Sequence, residues 1–229
     1  MENSIKSLPN FTRYINKIEE KIRRRIFKQN MAEQSAFGSH LPILLGITRI
    51  IQPKKILELG PGLYSTPMFN NLQFFPDLEN FTCIESEAEW FEKCKEFFTG
   101  NSKAQLILAD SKVADYIKTL NTRFDLIFID DSLTTEDRVR SIQNVSLMDN
   151  IQNTIVVVHD FEVPDYQRAT ERFENRYIFK CFRPHTGVVW NTGALTYKKL
   201  EDMERNMYRL RWKHPVLSLN EWWNSLHAD

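Results

Sequence analysis

Five short apolar segments recur through the middle of this 229-residue chain, and they restrict its fold more than any other feature. They are residues 55–59, 81–85, 105–109, 124–129 and 154–158. Near-continuous apolar strands are typical of a parallel sheet that is covered on both faces. The intervening stretches, such as residues 87–98 and 135–148, are long enough for helices. The alternation predicts an α/β fold with a doubly wound, mostly parallel sheet.

The chain changes character after the fifth segment. Residues 177–182 and 188–198 are strand-like, but the gap between them is too short for a crossover helix. We therefore expect them to form a C-terminal antiparallel hairpin. A tail with Trp212, Trp222 and Trp223 follows.

Two helices are predicted before the first strand. Residues 9–29 carry apolar side chains every three or four positions, and a helix over residues 39–51 has Ser39 as its candidate N-cap. The first helix is interpreted as packing on its own domain, with a lid, a homodimer contact or a membrane-surface role as alternatives. The expected organisation is a helical extension over residues 1–52, one α/β domain over 53–200 and a Trp-rich tail over 201–229 that packs on the domain.

Charge and cysteine content narrow the class of protein. Thirty basic residues balance thirty acidic ones, so there is no general attraction to nucleic acid or to an anionic membrane. Three cysteines without a CxxC spacing argue against disulfides or a structural zinc site and are consistent with the cytoplasm. No apolar signal core and no membrane-spanning segment is evident. We expect a small-molecule partner, and no nucleic acid or membrane.

A glycine pair ends the first predicted strand. Glu58 is followed by Gly60, Pro61, Gly62 and Ser65 before a predicted helix. Glycine allows a sharp turn and the close approach of a ligand, and the N–H groups at a helix start suit polar groups. Alone, the pair is equally consistent with an ordinary tight turn.

Polar residues also end the four following strands. They are Glu85 with Ser86, Asp110 with Ser111, Asp130 with Asp131, and His159 with Asp160. Ligands bind at the carboxyl edge of open α/β sheets, where an acid after the second strand accepts hydrogen bonds from ribose hydroxyls. Each residue taken singly is also consistent with a helix cap, whereas the series favours a nucleoside site.

The pattern E-x-G-x-G at residues 58–62 resembles the first motif of class I S-adenosylmethionine-dependent methyltransferases. A nicotinamide enzyme would prefer a third glycine where this chain has Ser65. The resemblance covers residues 53–198 and includes the final hairpin. It implies a Rossmann-like fold and S-adenosylmethionine as the cofactor.

The resemblance also implies roles for single residues. The loop from Glu58 to Gly62 with Ser65 would line the methionine part of the cofactor, and Glu85, with Ser86 beside it, would hold the ribose. Asp110 and Ser111 would meet the adenine. Asp130 would lie near the sulfonium and the amino group.

Residues 124–132 and 156–161 look like the small-molecule O-methyltransferase branch, some members of which hold a divalent cation here. Mg²⁺ on Asp131 (or Asp130) and Asp160 would lower the pKa of a substrate hydroxyl. However, His159 and Phe161 stand where metal-dependent members have Glu or Asn. The alternative is metal-free catalysis with His159 as the base. The catalytic candidates are therefore His159, Asp160 and Asp131.

Other functions remain open at this stage. The first alternative to a methyltransferase is a non-catalytic S-adenosylmethionine-binding module. The second is a nicotinamide-dependent oxidoreductase. The Pro-Pro-aromatic motif typical of nucleic-acid amino-methyltransferases is absent after residue 130, and the longer glycine run typical of aminopropyltransferases is absent after residue 58.

Overall fold

The structure is a computed structural model that describes residues 38–132, 134–191, 193 and 195–213. The helix predicted over residues 9–29, with the homodimer contact suggested for it, lies outside the described residues. So do Trp222 and Trp223 and the side chain of Trp212.

Seven strands form one mixed sheet. They are β1 Lys55–Leu59, β2 Asn80–Glu85, β3 Ala104–Leu108, β4 Leu126–Ile129, β5 Ile155–Val158, β6 Asn175–Phe179 and β7 Thr186–Trp190. Their order is β3-β2-β1-β4-β5-β7-β6, in which β1 to β5 run parallel and β7 is antiparallel to both β5 and β6. The predicted doubly wound sheet with its C-terminal antiparallel hairpin is confirmed.

Seven α-helices flank the sheet in the described part of the chain. They are α1 Leu41–Ile51, α2 Ser65–Phe69, α3 Ala88–Cys94, α4 Val113–Tyr116, α5 Thr135–Ser146, α6 Pro164–Ala169 and α7 Tyr197–Lys213. The start of α5 shows why the chain folds this way locally. The Thr134 hydroxyl accepts a hydrogen bond from the backbone N–H of Asp137, and two acidic residues occupy the first turn, where the helix dipole favours negative charge.

The central strands are apolar along their whole length because both faces of the sheet are covered. Alternate residues of β5 belong to two separate cores: Val157 packs with Phe128 on one face, and Val156 packs with Ile127 on the other. Strands β4 and β5 are buried from end to end. This burial accounts for the continuous apolar runs from which the sheet was predicted.

The two ends of the described chain meet in one of these cores. Most of α1 is buried there together with Leu200, Met203 and Met207 of α7. The approach is close at Gly46, where an added Cβ would lie 2.3 Å from the sulfur of Met203. Helix α1 therefore packs directly on the α/β domain and on α7.

Two local predictions are wrong. The second hairpin strand, predicted over residues 188–198, ends at Trp190, and α7 begins at Tyr197. Asn191 ends the hairpin, because its side-chain oxygen accepts from the backbone of Glu174 and its backbone oxygen accepts from Asn175. The other error concerns Ser39. The N-cap of α1 is His40, and the Ser39 hydroxyl bonds elsewhere.

No helix in the described ranges is both long and apolar enough to cross a membrane.

Candidate functional site

The glycine turn after β1 lies beside the end of β2. Leu59 pairs with Ile84 in the parallel ladder, and the N–H of Gly60 donates to the Ile84 carbonyl at 3.0 Å. Gly60 has a φ of +81°, and a Cβ there would lie 2.6 Å from the Asp130 carbonyl oxygen. Only glycine allows β1 to turn this close to the end of β4.

A buried hydrogen-bond chain fixes the shape of this loop. The N–H of Gly62 donates to Thr66 Oγ1 at 2.8 Å, and Thr66 Oγ1 donates to Glu58 Oε2 at 2.7 Å. The thiol of Cys83 lies 3.3 Å from the same carboxylate oxygen. Burial raises the pKa of Glu58 to about 7, although Ser65, Thr66 and Cys83 oppose the shift. Glu58 was predicted to line the ligand site, but its side chain is fully buried and holds the loop from beneath.

Trp90 of α3 fixes the outer part of the loop. Its indole N–H donates to the carbonyl oxygen of Pro61 at 2.6 Å. The glycine turn is therefore held from below by Glu58 and from the side by α3.

Only one of the two carboxylate oxygens of Glu85 bonds to its own helix, α3. Its Oε1 accepts from the backbone N–H groups of Ser86 at 2.6 Å and Glu87 at 2.7 Å, which caps the start of α3. Burial raises the pKa of Glu85, and these two bonds oppose the shift. Oε2 accepts no hydrogen bond from the described residues. The side chain of Ser86 is exposed, as are those of Asp110 and Ser111 after β3.

Arg138 of α5 connects the ends of β4 and β5. Its Nε donates to the Asp131 carbonyl at 2.6 Å, and its Nη1 donates to Asp160 Oδ2 at 2.7 Å. Its Nη2 lies 3.1 Å from both the Ser132 carbonyl and Asp130 Oδ1. With 7% of its side chain exposed, Arg138 is the central cation of this edge.

His159 is held at both ring nitrogens. Nδ1 lies 3.2 Å from Asp130 Oδ1, and Nε2 lies 2.9 Å from the Ser39 hydroxyl, which itself donates to the Pro184 carbonyl at 3.1 Å. With the hydroxyl proton directed to the Pro184 carbonyl, Nε2 donates to the Ser39 oxygen, and Nδ1 faces the Asp130 carboxylate.

His159 and Asp130 each favour the charged form of the other. Burial would lower the pKa of His159, but the hydrogen bond and charge of Asp130 outweigh it and raise this pKa. Burial would raise the pKa of Asp130, but the hydrogen bond and charge of His159 and the charge of Arg138 outweigh it and lower this pKa. His159 was predicted to act as a base, yet in this geometry both of its ring nitrogens already face a partner, Asp130 at Nδ1 and Ser39 at Nε2.

Asp131 and Asp160, the predicted Mg²⁺ ligands, are each committed elsewhere. Asp131 is buried, its Oδ2 accepts from the Ser141 hydroxyl at 2.5 Å, and burial raises its pKa to about 7. Asp160 has a φ of +55° and pairs with Arg138. Among the described residues, neither carboxylate belongs to a group of three or more ligand side chains that converge on one point, so this pair does not fit a magnesium site.

His40 lies beside His159 at this edge, and no pattern in the sequence singles it out. It is 2% exposed, and neither ring nitrogen has a hydrogen-bond partner among the described residues. Its ring centroid lies 4.7 Å from that of His159 and 4.9 Å from that of Phe128. Burial lowers the pKa of His40 to about 3, so the ring is neutral.

Two cavities in the described structure lie at the opposite edge of the sheet. One lies between α1 and the segment before β2, with Leu45, Phe75 and Asp77 in its wall. The other is bounded by Asn121, Phe124 and Thr154. Neither contains a predicted site residue, and we assign no cofactor to them.

Comparison with known proteins gives the fold of this chain. No protein-family model matches the sequence, and no curated protein matches it by sequence. Among solved structures, human methyltransferase-like protein 13 in complex with SAH matches with a TM-score of 0.51 and 17% identity, over 88% of this chain and 92% of that chain. A Podospora anserina methyltransferase bound to SAH matches with a TM-score of 0.50 and 16% identity, over 83% and 100%. The fold is Rossmann-like.

A spermidine synthase in complex with the transition-state analogue AdoDATO has a similar fold. Its TM-score is 0.51 at 14% identity, over 72% of this chain and 64% of that chain. This chain thus spans less than two thirds of that enzyme. At such identities the likeness extends to the fold alone.

Proposed function

We propose that this chain is an S-adenosylmethionine-dependent methyltransferase that transfers a methyl group to a small-molecule acceptor, with a hydroxyl group as the first choice. The observation that carries the proposal is the position of Glu85. This carboxylate stands opposite the glycine turn at Gly60 and keeps one oxygen, Oε2, outside its helix contacts. A nucleoside ribose presents two adjacent hydroxyl donors that suit such an oxygen.

The neighbouring strand ends supply the remaining contacts of the proposed cofactor site. The exposed side chains of Asp110 and Ser111 are available to the adenine. Asp130 is a quarter exposed, and its lowered pKa keeps it ionised. Its negative charge suits the positively charged sulfonium and amino groups of S-adenosylmethionine.

The proposed chemistry depends on alignment. A sulfonium is already a good electrophile, so holding the acceptor oxygen in line with the methyl group supplies most of the rate enhancement. In this scheme His159 and Arg138 hold Asp130 in place and keep it charged. The new carbon–oxygen bond replaces the carbon–sulfur bond, S-adenosylhomocysteine leaves, and the proton of the acceptor hydroxyl passes to water. We route no proton transfer through His159, because both of its nitrogens are already engaged.

The first test is cofactor binding by isothermal titration calorimetry with S-adenosylmethionine. We expect Glu85→Ala to weaken binding by at least about tenfold, since it removes hydrogen bonds to a charged group that are worth about 1.5–3 kcal/mol. Glu87→Ala is the matched control, because its exposed side chain makes no cap contact. Equal affinities for the two variants, with both shown to be folded by circular dichroism, would contradict the assignment of Glu85.

The second test separates a catalyst from a binding module. Transfer of a labelled methyl group to a panel of phenols, sugars, amines and carboxylates, with and without chelator, reports both turnover and acceptor class. Tight binding without transfer to any acceptor would favour the non-catalytic module. Turnover with decarboxylated S-adenosylmethionine and an amine would indicate an aminopropyltransferase, and binding of NAD alone would indicate an oxidoreductase. A small-molecule partner and a cytoplasmic location remain part of the proposal.

A further inference from the structure

The geometry points to a transition-metal site of the zinc class formed by His40, Asp130 and His159. This inference goes beyond the proposed methyl transfer and does not depend on it. One ligand atom from each residue lies within 4.8 Å of the others. The three side chains come from the start of α1 and from the ends of β4 and β5, so the fold rather than a local sequence motif brings them together.

The distance between the first two ligand atoms matches a coordinated ion. His159 Nδ1 and Asp130 Oδ1 are 3.2 Å apart. Two donors that each lie about 2.0–2.1 Å from a zinc ion in tetrahedral geometry are about 3.3 Å apart. An ion can therefore replace the proton between these atoms with little movement of either side chain.

His40 is the second, independent observation. A buried polar atom without a hydrogen bond costs about 1–3 kcal/mol, and both of its ring nitrogens are in this condition among the described residues. The ring stands edge-on to His159, with centroids 4.7 Å apart. A metal bound to one nitrogen of His40 would satisfy an atom that has no partner within the described part of the chain.

The groups around the cluster are those that usually orient metal ligands. A ligating histidine generally donates its other N–H to an oxygen acceptor, which fixes its tautomer. Here His159 Nε2 meets the Ser39 hydroxyl, which is oriented by the Pro184 carbonyl, and Nδ1 faces the cluster. Asp130 accepts from Arg138, as ligating carboxylates commonly accept from a neighbouring donor.

The ligand types select the class of ion. Two imidazoles and one carboxylate suit zinc and its first-row neighbours, whereas magnesium prefers a shell of oxygen atoms. Three protein ligands leave at least one coordination position for water or another small ligand, as in catalytic zinc sites.

The test uses the full chain, stripped of metal with a chelator and without cofactor, so its outcome is separate from that of methyl transfer. Co²⁺ reports its coordination through visible absorption bands, and calorimetry measures Zn²⁺ and Mg²⁺ binding. We expect one equivalent of Co²⁺ or Zn²⁺ to bind, and Mg²⁺ to fail to displace Co²⁺. X-ray absorption of the zinc-loaded protein should show two imidazole ligands.

Variants locate the ion. His40→Phe keeps a ring against Phe128 but removes a ligand, and Asp130→Asn is nearly isosteric. Either change should weaken Zn²⁺ binding by at least about 100-fold, since even the loss of an outer-shell partner costs about 10–100-fold. His185→Ala, in the β6–β7 loop, is the control and should bind as the wild type does. The inference is overturned by a wild-type protein that gives no Co²⁺ bands, by fewer than two imidazoles around zinc, or by wild-type affinity in both ligand variants.

Discussion

Arg138 donates a hydrogen bond of 2.7 Å to Asp160, a residue whose backbone is in the left-handed region with a φ of +55°. The bond joins helix α5 to the end of β5 across 22 positions of sequence. Because Arg138 also bonds to Asp130 and to two carbonyl groups after β4, one guanidinium fixes the relative positions of two strand ends.

Replacing Arg138 should therefore destabilise the protein strongly. Arg138→Met removes the guanidinium from Asp160 and leaves Asp130 with His159 alone, and breaking a buried pair in this way costs about 3–5 kcal/mol. The free energy of unfolding in urea measures the loss. Arg140→Met, two positions along the same helix and 44% exposed, removes only surface ion pairs and should cost about 1 kcal/mol or less. Equal losses for the two variants would show that Arg138 is not the clamp described here.

Two glycines with similar backbone angles should respond differently to alanine. Gly60 and Gly100 have φ of +81° and +85°, but an added Cβ at Gly100 meets nothing within 4 Å. Gly100→Ala should cost only the strain of the left-handed conformation, about 1–2 kcal/mol. Gly60→Ala adds a collision with the backbone of Asp130 and Asp131 and should lower the melting temperature much further or prevent folding. Similar melting temperatures would contradict the close approach of β1 to β4.

The buried carboxyl of Glu58 should make stability depend on pH. Its pKa in the folded protein is raised to about 7 from 4.5. The folded state thus holds a proton that the unfolded state has lost, and stability falls as pH rises from 4.5 through 7. The loss is of the order of 3 kcal/mol and is complete above the folded pKa.

Glu58→Gln should remove the part of the pH dependence that comes from Glu58 and leave the part that comes from Asp131, because an amide does not titrate in this range yet still accepts a hydrogen bond from Thr66. Urea unfolding of both proteins between pH 5 and pH 8 tests it. A difference in unfolding free energy that stays constant with pH would be inconsistent with a buried, protonated Glu58.

The hydrogen bond from Trp90 to Pro61 should affect ligand binding through the glycine loop. Trp90→Phe removes the donor and should weaken S-adenosylmethionine binding about two- to tenfold, in line with a net worth of about 0.5–1.5 kcal/mol. The difference between wild-type and variant fluorescence isolates the signal of Trp90, which should change on titration. Glu89→Gln, exposed on the same helix, should leave the affinity unchanged. An unaltered affinity in Trp90→Phe would show that the loop does not need this contact.

The sheet was predictable because a strand that is buried on both faces has a continuous run of apolar residues in the sequence. Strand β1 was located to the residue, and β2 to β5 to within two residues at either end. The end of β7 was not predictable, since Leu195 is buried as part of the approach to α7 and prolongs the apolar run beyond the sheet. Apolar spacing shows that a residue is covered, but it does not show which element covers it.

The residues that organise the site were harder to find. In the sequence, Arg138 is one of several charged residues on a polar helix. Only the structure shows that it is buried and bonds to the turn between β4 and α5. Ser39, next to His40, bonds to His159, which lies 120 positions further along the chain. Trp90 donates to Pro61, which lies 29 positions before it. The sequence indicates the role of Thr66 only weakly, by a hydroxyl in the first turn after the two glycines. Strand order determines which distant residues meet, and strand order cannot be derived from a single sequence.

The packing of Gly46 against Met203 has a consequence for synthesis of the protein. A nascent chain that has emerged only as far as β7 lacks Leu200, Met203 and Met207, so the apolar side of α1 has no cover from that direction. We expect the packing of α1 to be completed only after these residues of α7 have left the ribosome.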